Sequence, residues 1–462
     1  MKKYNSIIIG AGQAGPSLSA QLAAQGEKVA IVERKLFGGT CVNNGCTPTK
    51  TLIASARAAH IARRGADFGV MINGPVLVDM KKVKERKDQV VRQSSTGVEN
   101  WLKNTPNLDV YEAHARFEDA KTLQVGDERI TGEKIFINVG GRARVLDDVK
   151  EARYFTNSTI MDVDFVPEHL VIVGGSYIGL EFGQMYRRFG SEVTVIEMGD
   201  RVVSREDEDV SEAIREILEN EGINLRLKAE CIKATQHGDE VEVDVICKEG
   251  PPKVRGSHLL VAVGREPNTH DLGLNKAGVD MDERGFIIVD DHLKTNVPGI
   301  WALGDCNGKG AFTHTAYNDF EIVYDHLYGT GKRKVSDRIP CYALYTDPPL
   351  ARIGMSEGEA RGSGKNVLIG SRTMKRVSRA REKGEDQGFM KVLVDAGTQQ
   401  ILGATILGIE GDEIIHSLLD IMYTRAPYTI IQNAVHVHPT VSELIPTMLG
   451  ELRPLEEYAE DH

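Results

Sequence analysis

This sequence has no long apolar run, few cysteines and no excess of positive charge. No apolar run reaches the roughly 20 residues that a membrane-spanning helix needs. Six cysteines in 462 residues do not make a secreted disulfide scaffold, so we expect a reducing compartment, the cytoplasm. The formal net charge of -11 argues against nucleic acid and anionic membranes as partners, because both need clustered positive charge. A chain of this length is expected to form about two to four domains.

Two of the six cysteines stand close together in a glycine-rich segment. Cys41 and Cys46 are separated by four residues in the run GGTCVNNGC, which begins at Gly38. Closing so short a loop would stabilise the chain by only about 2 kcal/mol, so a purely structural disulfide is a weak explanation. Two thiols on one turn can form and break a disulfide reversibly, and the glycines let the backbone approach a flat cofactor. We therefore predict a redox-active disulfide. A metal half-site and two unpaired buried thiols are the alternatives, although no second Cys/His pair has zinc-site spacing.

A complete dinucleotide-binding unit precedes this cysteine pair. It consists of an apolar strand at 7–9, the glycines Gly10, Gly12 and Gly15, a helix to about residue 25, and a second strand that leads to Glu33. The glycines permit a tight turn and a close approach to a pyrophosphate at the helix N-terminus, and Glu33 can accept hydrogen bonds from ribose hydroxyls. This order of elements predicts a Rossmann-like unit.

The same unit recurs near the middle of the chain. A strand at 170–173, the glycines Gly174 and Gly179, a helix to about residue 189 and a strand at 193–196 lead to Glu197. The first glycine and the final carboxylate are 23 positions apart in both copies, as two units of one architecture require. Ser176 replaces the middle glycine, which slightly crowds the approach of a pyrophosphate.

Two dinucleotide units beside a redox cysteine pair imply one tightly held flavin and one exchanging nicotinamide nucleotide. Glu197 can hold a ribose 2′-hydroxyl and would repel a 2′-phosphate, which favours NADH. Arg201 and Arg205 follow closely and could bind that phosphate, so NADPH stays open. We expect no bound metal cofactor.

At these motifs the chain resembles the class I flavin-dependent pyridine nucleotide-disulfide oxidoreductases, the group of dihydrolipoamide dehydrogenase, glutathione reductase and mercuric reductase. The resemblance covers nearly the whole chain and includes LLVAVGREPNT at 259–269 and TNVPGIWALGD at 295–305. It implies FAD as the flavin and NAD(P)H as the reductant. It also implies an α/β fold with two Rossmann-like dinucleotide-binding domains and a C-terminal α+β dimerisation domain.

The resemblance further implies an order of domains. Residues 1–149 would form the first segment of the FAD-binding domain, 150–267 the NAD(P)-binding domain, 268–337 the second segment of the FAD-binding domain, and 338–462 the interface domain. Short apolar runs at 389–394 and 401–406 predict an antiparallel sheet in the last part. Similar proteins use this part to form a homodimer whose active site is shared between the subunits.

Individual residues also take roles by resemblance. Cys46 would lie against the flavin as the charge-transfer thiolate, and Cys41 would be the interchange thiol that meets the acceptor. Asp305 would bind the ribityl chain. The expected cofactor-binding positions are Gly10, Gly12, Gly15, Glu33, Gly39, Thr40, Lys50, Gly140, Gly174, Gly179, Glu197, Gly264 and Asp305.

Two pairs of charged or titratable side chains follow from the same resemblance. Lys50 and Glu181 would meet beside the flavin ring, where a positive charge stabilises the electron-rich reduced form; two unrelated surface charges are the alternative. His438 and Glu443, across a helix start led by a proline, resemble the proton-transfer dyad of the lipoamide and glutathione enzymes. His436 and His438 could instead be a fragment of a metal site, although no companion ligands are evident.

The electron acceptor is less well specified than the cofactors. The run GCTPTK resembles the lipoamide and mercuric branches, and FTHTAYND at 312–319 resembles mercuric-reductase-like proteins. The final residues EEYAEDH lack the vicinal cysteine pair typical of mercuric reductases. We predict a disulfide-type acceptor, with reduction of Hg(II), Cu(II) or quinones as the alternative. A redox or metal sensor is the non-enzyme alternative, which the dyad disfavours because a sensor needs no proton shuttle.

Overall fold

A computed structural model describes residues 1–246 and 251–458 of the chain. The strands form sheets of seven, four, three, two and six strands, and the helices pack on them. The α/β class predicted from the sequence is therefore confirmed. Within the described residues, no helix is both long and apolar enough to cross a lipid bilayer.

The first part of the chain forms a mainly parallel sheet with helices around it. Its strands are β1 (Lys2–Ile9), β2 (Val29–Glu33), β3 (Leu108–Glu112), β4 (Ala115–Phe117), β5 (Thr122–Val125), β6 (Glu128–Ile137) and β7 (Gly141–Ala143). Its helices are α1 (Gly15–Ala24), α2 (Gly39–Asn44), α3 (Cys46–Arg63) and α4 (Met80–Lys103). The sheet order is β3-β2-β1-β6-β5-β4, and β1 is parallel to both β2 and β6. Ile7 and Ile8 are fully buried, as expected for a strand covered on both faces.

The second dinucleotide unit begins a separate parallel sheet. This part contains the strands β8 (His169–Val173), β9 (Glu192–Ile196), β10 (Asn224–Arg226), β11 (Glu230–His237), β12 (Glu240–Ile246), β13 (Lys253–Gly256), β14 (His258–Val261) and β15 (Arg265–Pro267). Its helices are α5 (Tyr177–Phe189) and α6 (Glu208–Asn220). The short helix α7 (Leu274–Ala277) follows, and its buried residues Leu274 and Ala277 lie in the core of the first sheet. The parallel order is β10-β9-β8-β14, while β11, β12 and β13 form an antiparallel sheet beside it. Strand β15 pairs with β7.

The chain then returns to the first sheet. Strand β16 (Ile300–Ala302) pairs in parallel with β6, and α8 (Thr313–Tyr328) follows it. The first sheet is thus built from two segments that are separated in sequence by the second dinucleotide unit. Because β6 and β16 are parallel neighbours, the residues that follow them lie at the same edge of the sheet.

The C-terminal part is an antiparallel sheet flanked by helices. Its strands are β17 (Cys341–Leu344), β18 (Leu350–Gly354), β19 (Val367–Thr373), β20 (Phe389–Asp395), β21 (Ile401–Leu407) and β22 (Arg453–Pro454). Its helices are α9 (Glu357–Gly362), α10 (Ser378–Glu382), α11 (Gly411–Thr424), α12 (Thr429–Gln432), α13 (Ile445–Leu449) and α14 (Leu455–Tyr458). The order is β17-β18-β21-β20-β19-β22. The two strands expected at 389–394 and 401–406 are antiparallel neighbours.

A buried ionic network joins these three parts. Arg188 on α5 has a side chain that is only 6% exposed, and its guanidinium group donates to Glu221 at 2.7 and 2.8 Å and to Asp347 at the end of β17. Arg57 on α3 donates to the same Asp347 and to Glu385. The carboxylate of Asp347 therefore binds arginines from two helices, α3 and α5, that pack in different parts of the chain.

Replacing Arg188 with Met should lower the free energy of unfolding by about 3 to 5 kcal/mol, because two buried carboxylates lose a cation. Replacing Arg379, whose surface pair with Glu382 leaves both side chains at least 40% exposed, should cost less than about 1 kcal/mol. Denaturant unfolding followed by fluorescence measures both. Equal losses in the two variants would contradict a special role of the network.

Candidate active site

Glycines bring the cysteine segment against the first phosphate turn. Gly38 and Gly39 have φ values of 91° and 62°, in the left-handed region that other residues disfavour. A Cβ atom added at Gly39 would lie 2.7 Å from the Cα atom of Gly12, so no larger residue fits there. The amide of Gly38 also donates to the carbonyl oxygen of Ala11 at 2.9 Å. Helix α2, with Thr40 in its first turn, therefore begins beside the phosphate turn.

Cys41 lies on α2 and Cys46 is the first residue of α3, and the two thiols are free. The Oγ1 atom of Thr313, the first residue of α8, lies 3.3 Å from the sulfur of Cys46. The hydrogen bond from Cys41, the Thr313 hydroxyl and the positive charge of Lys50 lower the pKa of Cys46 to about 6. The contact with Cys46, together with burial, raises the pKa of Cys41. Of the two thiols, Cys46 is therefore the one whose surroundings favour the thiolate form.

Lys50 lies one turn beyond Cys46 on α3 and forms an ion pair with Glu181 on α5. The Nζ atom of Lys50 is 2.7 Å from an Oε atom of Glu181, whose side chain is only 8% exposed. The amide of Tyr345 donates to the other oxygen of this carboxylate at 2.9 Å, and the Tyr345 ring centroid lies 4.4 Å from the Lys50 ammonium group. The structure thus brings Lys50 and Glu181 together and adds Tyr345 as a third member.

The two phosphate turns have matching geometry. At four of their glycines, an added Cβ atom would lie within 2.4 Å of a backbone carbonyl oxygen, so the turn tolerates only glycine. These positions are Gly10 and Gly15 in the first turn and Gly174 and Gly179 in the second. In each copy the backbone can therefore approach a pyrophosphate closely at the start of a helix.

The carboxylates at the ends of β2 and β9 are also held alike. Each one accepts a hydrogen bond from the amide that follows the first glycine of its turn and another from the amide two residues beyond itself. The donors are Ala11 and Lys35 for Glu33, and Gly175 and Gly199 for Glu197, at 2.6 to 2.9 Å. A carboxylate oxygen has a second lone pair, so both groups remain able to accept from a ribose hydroxyl. This donor set fits one dinucleotide at each sheet.

The remaining expected cofactor positions lie at the same sheet edges. Gly140 and Gly264 have φ values of 61° and 112°, and an added Cβ atom would meet no atom within 4 Å at either position. Asp305 follows β16, and its carboxylate lies 3.6 Å from the Nε atom of Arg265. Burial raises the pKa of Asp305, which the nearby guanidinium group opposes. Open space beside Gly140 and a buried carboxylate nearby fit the long polar chain of a flavin dinucleotide.

The expected dyad is formed, but away from the cysteines of its own chain. The Nδ1 atom of His438 lies 2.9 Å from an Oε atom of Glu443, and the His438 side chain is 74% exposed. Across the part of the chain that the structure describes, no hydrogen bond or ion pair joins this dyad to Cys41 or Cys46. His436 instead has its Nδ1 atom 3.2 Å from a backbone carbonyl oxygen.

The expected helix start at the proline after His438 is wrong. A short 3-10 turn covers Ser442–Leu444, and α13 begins only at Ile445. The reason is local hydrogen bonding by Thr440, whose hydroxyl donates to the carbonyl oxygen of Val437 and accepts from the amide of Glu443. The bond from the amide of Glu443 is that of a helix N-cap, so the helical turns begin only after Thr440.

Three site residues were not predicted from the sequence: Thr313, Tyr345 and Asn138. Thr313 contacts a cysteine 267 positions away, and Tyr345 contacts Glu181 across 164 positions. The side chain of Asn138, at the end of β6, donates to the carbonyl oxygen of Gly10 at 3.1 Å. Thr313 and Tyr345 carry no local signal, because their partners are brought to them only by the packing of separate sheets. Asn138 could have been found from its place directly after a buried parallel strand.

Family models match most of the chain. One described as pyridine nucleotide-disulphide oxidoreductase covers residues 4–319, and one described as the dimerisation domain of the same family covers residues 341–449. The chain belongs to the pyridine nucleotide-disulfide oxidoreductase family, which is FAD-dependent and uses pyridine nucleotides. The dimerisation-domain match supports a homodimer.

Individual relatives are similar along nearly their whole length. The probable pyridine nucleotide-disulfide oxidoreductase RclA of Escherichia coli is 36% identical over 454 residues, covering 96% of this chain and 98% of the relative. A dihydrolipoyl dehydrogenase of Haloferax volcanii is 31% identical, with coverage of 95% and 94%. A solved structure, the Cu(II) complex of the HOCl-induced flavoprotein disulfide reductase RclA from Escherichia coli, has a TM-score of 0.89 at 34% identity and covers 97% of this chain and 99% of that one.

Replacing Thr313 with Val should raise the pKa of Cys46 from about 6 toward the ordinary thiol value of about 8.5, because the thiolate loses a hydroxyl donor. Alkylation of the reduced protein by iodoacetamide at neutral pH should then slow, since less thiolate is present. A pH titration of thiolate absorbance measures the shift. Thr330→Val, which removes a hydroxyl that donates to the surface residue Asp325, should leave the titration unchanged. An unchanged titration in Thr313→Val would show that its contact does not stabilise the thiolate.

Proposed function

We propose that this chain is an FAD-dependent NAD(P)H oxidoreductase that passes electrons through the Cys41–Cys46 disulfide to a disulfide-type acceptor. The observation that carries the proposal is the setting of the thiol pair, in which the sulfur of Cys46 lies 3.3 Å from the Thr313 hydroxyl and the Lys50–Glu181 ion pair begins one turn further along α3. These surroundings lower the pKa of Cys46, while that of Cys41 is raised. The pair lies at the edge of a sheet whose phosphate turn fits a dinucleotide. Steady-state oxidation of NAD(P)H with lipoamide, oxidised glutathione, quinones, Hg(II) and Cu(II) tests it. If the protein reduces none of the disulfide acceptors, the proposal is overturned.

The first phosphate turn, Glu33 and Asp305 would hold the FAD, and the second turn with Glu197 would hold the nicotinamide nucleotide. When bound, the flavin supplies two-electron transfer from the nicotinamide to the disulfide. The chain's own contribution is electrostatic: Lys50, held by Glu181, places a positive charge four residues beyond Cys46. That charge favours the thiolate form of Cys46, which is the form that remains after the disulfide is reduced.

The acceptor step would proceed by thiol–disulfide exchange. The imidazole of His438 of the partner subunit would take the proton of Cys41, whose thiolate attacks one sulfur of the acceptor. The acceptor S–S bond breaks, and the leaving thiolate takes that proton from the imidazolium of the partner subunit's His438. The Cys46 thiolate then attacks Cys41, which restores the protein disulfide and releases the second acceptor thiolate. The exposure of His438, and the lack of any bond between it and the cysteines of its own chain among the described residues, support a role in the partner's site. Glu443 would orient the imidazole.

A metal ion is the second candidate acceptor. The Cu(II) complex of the similar Escherichia coli flavoprotein favours it, because thiolates are suitable ligands for a soft or borderline metal ion. Reduction of Hg(II), Cu(II) or a quinone would use the same cofactors but no general acid at Cys41. A flavin and thiol sensor with slow turnover is the remaining possibility, and fast turnover with any acceptor would exclude it. We place the homodimer in the cytoplasm, without nucleic acid or membrane partners, on the charge and cysteine content.

NADH should have a higher kcat/KM than NADPH, because the ionised Glu197 would repel a 2′-phosphate. Replacing Glu197 with Gln should lower the ratio of kcat/KM for NADH to that for NADPH by about tenfold, because the repulsion between the carboxylate and the 2′-phosphate is removed. Arg379→Ala, at a surface ion pair of the C-terminal part, should leave the kcat/KM for NADH unchanged and serves as the control. A clear preference of the unmodified protein for NADPH would contradict the assignment and point to Arg201 and Arg205.

Replacing His438 with Ala should lower turnover with a disulfide acceptor by roughly a hundredfold, the usual contribution of a positioned general acid. Glu443→Gln should cost less, because the imidazole remains. Bleaching of the flavin absorbance by NADH should stay nearly normal in both variants, which serves as the internal control. Unchanged disulfide turnover in His438→Ala would favour metal or quinone reduction.

A further inference from the structure

Glu206 is a buried carboxylate in the loop between β9 and α6, and its side chain has no exposed surface. One of its oxygens accepts hydrogen bonds from two tyrosine hydroxyls, that of Tyr177 at 2.9 Å and that of Tyr342 at 2.7 Å. Tyr177 is the first residue of α5, directly after the second phosphate turn, whereas Tyr342 lies on β17 of the C-terminal sheet. The carboxylate therefore connects the nucleotide turn to another sheet.

The C-terminal sheet also supplies the cation that neutralises this carboxylate. The Nη1 atom of Arg352 donates to the second oxygen of Glu206 at 2.9 Å, and the Arg352 side chain is only 4% exposed. Tyr342 and Arg352 are direct partners in the register of β17 and β18. Two adjacent strands thus present a hydroxyl and a guanidinium group to one carboxylate, a pairing that a one-residue slip in register would break.

The contact continues along the start of α6. Arg352 also bonds to Asp207 at 3.1 Å, and the buried Lys391 on β20 bonds to Asp207 and to Asp209 at 3.1 and 2.7 Å. The carboxylates of Asp207, Asp209 and Glu357 lie close enough together to hold a metal ion. The Lys391 ammonium group already bonds to all three, so the cluster is an ion-pair seam and not a metal site.

The loop from Glu197 to Glu206 is attached at both ends. At its start, Glu197 accepts from the amide of Gly175 in the phosphate turn, and further along the amide of Val203 donates to the carbonyl oxygen of Gly175 at 2.9 Å. At its end, Glu206 is held by the C-terminal sheet. Arg201 and Arg205, the two cations that could meet a nucleotide phosphate, lie between these attachments.

We propose that Glu206 is a positioning residue for the nicotinamide nucleotide, through which Tyr342 and Arg352 hold the loop 197–206 in its binding conformation. The inference rests on the proposed function, because it assumes that the second phosphate turn binds that nucleotide. A buried carboxylate with three donors has essentially one arrangement, since an unmade bond leaves a buried charge unsatisfied. Loss of a donor populates loop conformations that do not bind, and affinity falls by the fraction of the competent one.

The Tyr342→Phe variant tests this inference most directly. It removes one donor to Glu206 and keeps the aromatic ring that stacks on Phe312. Calorimetric titration of the oxidised holoenzyme with NAD+ should give a Kd raised about fivefold or more. Tyr328→Phe is the matched control, because it removes a tyrosine hydroxyl that donates to Glu27, a buried carboxylate in the first sheet. The control should leave the Kd unchanged.

Kinetics separate positioning from a general loss of structure. In Tyr342→Phe the KM for NADH should rise while kcat at saturating NADH and the pH titration of the Cys46 thiolate stay at the unmodified values. Glu206→Gln should raise the Kd further, since it leaves Arg352 with a weaker partner; if it does not fold, Tyr342→Phe decides alone.

Two results would overturn the inference alone, and a third would overturn the proposed function as well. A Kd in Tyr342→Phe that matches the unmodified protein or Tyr328→Phe would refute the inference and leave the proposed function intact. A parallel fall of kcat and kcat/KM in Tyr342→Phe would also refute the inference, because it indicates a general structural effect. If the unmodified holoenzyme binds neither NAD+ nor NADP+, the proposed function fails together with the inference.

Discussion

The contact between helices α3 and α5 is the constraint on which the site depends. The two helices begin at functional turns, α3 at Cys46 and α5 directly after the second phosphate turn. The Lys50–Glu181 ion pair joins them near these ends, and the side chain of Arg63 donates to the carbonyl oxygen of Arg188 at their far ends. Between these bonds, apolar side chains of both helices share one buried cluster. The contact fixes the distance and orientation between the thiol pair and the nucleotide turn.

The C-terminal sheet is a structural part of the redox centre and not only a surface for dimer formation. The amide of Tyr345 holds Glu181, so the backbone at the end of β17 determines where the Lys50 charge lies. Two residues further, Gln184 and Asp347 exchange hydrogen bonds at 2.8 and 2.9 Å. A displacement of this sheet would therefore change the electrostatic environment of Cys46 as well as the subunit interface.

The features that could be predicted from the sequence are the ones encoded over short distances. Gly10 and Gly174 form the expected turns because their backbone geometry is set within a few residues. The strands on either side end within one residue of the expected positions, although β1 begins at Lys2, five residues before the expected start. The helix expected at Pro439 begins later for a reason that is also local, because the Thr440 hydroxyl accepts from the amide of Glu443 and caps the turns that follow. Thr313 could not be predicted, since its contact with Cys46 exists only after β16 has rejoined the first sheet.

The difference between the two cysteines also determines how acceptors can be told apart. The pKa of Cys46 is lowered by Cys41, Thr313 and Lys50, and of these three only Cys41 contacts the acceptor in the proposed scheme. This part of the site is therefore suited equally to a disulfide and to a metal ion. Only the release of a thiolate from a disulfide requires a proton at Cys41, and His438 is the group that can provide it. In the proposed scheme, selectivity between the two acceptor classes would thus lie with the dyad, while the electron-transfer core would serve either one.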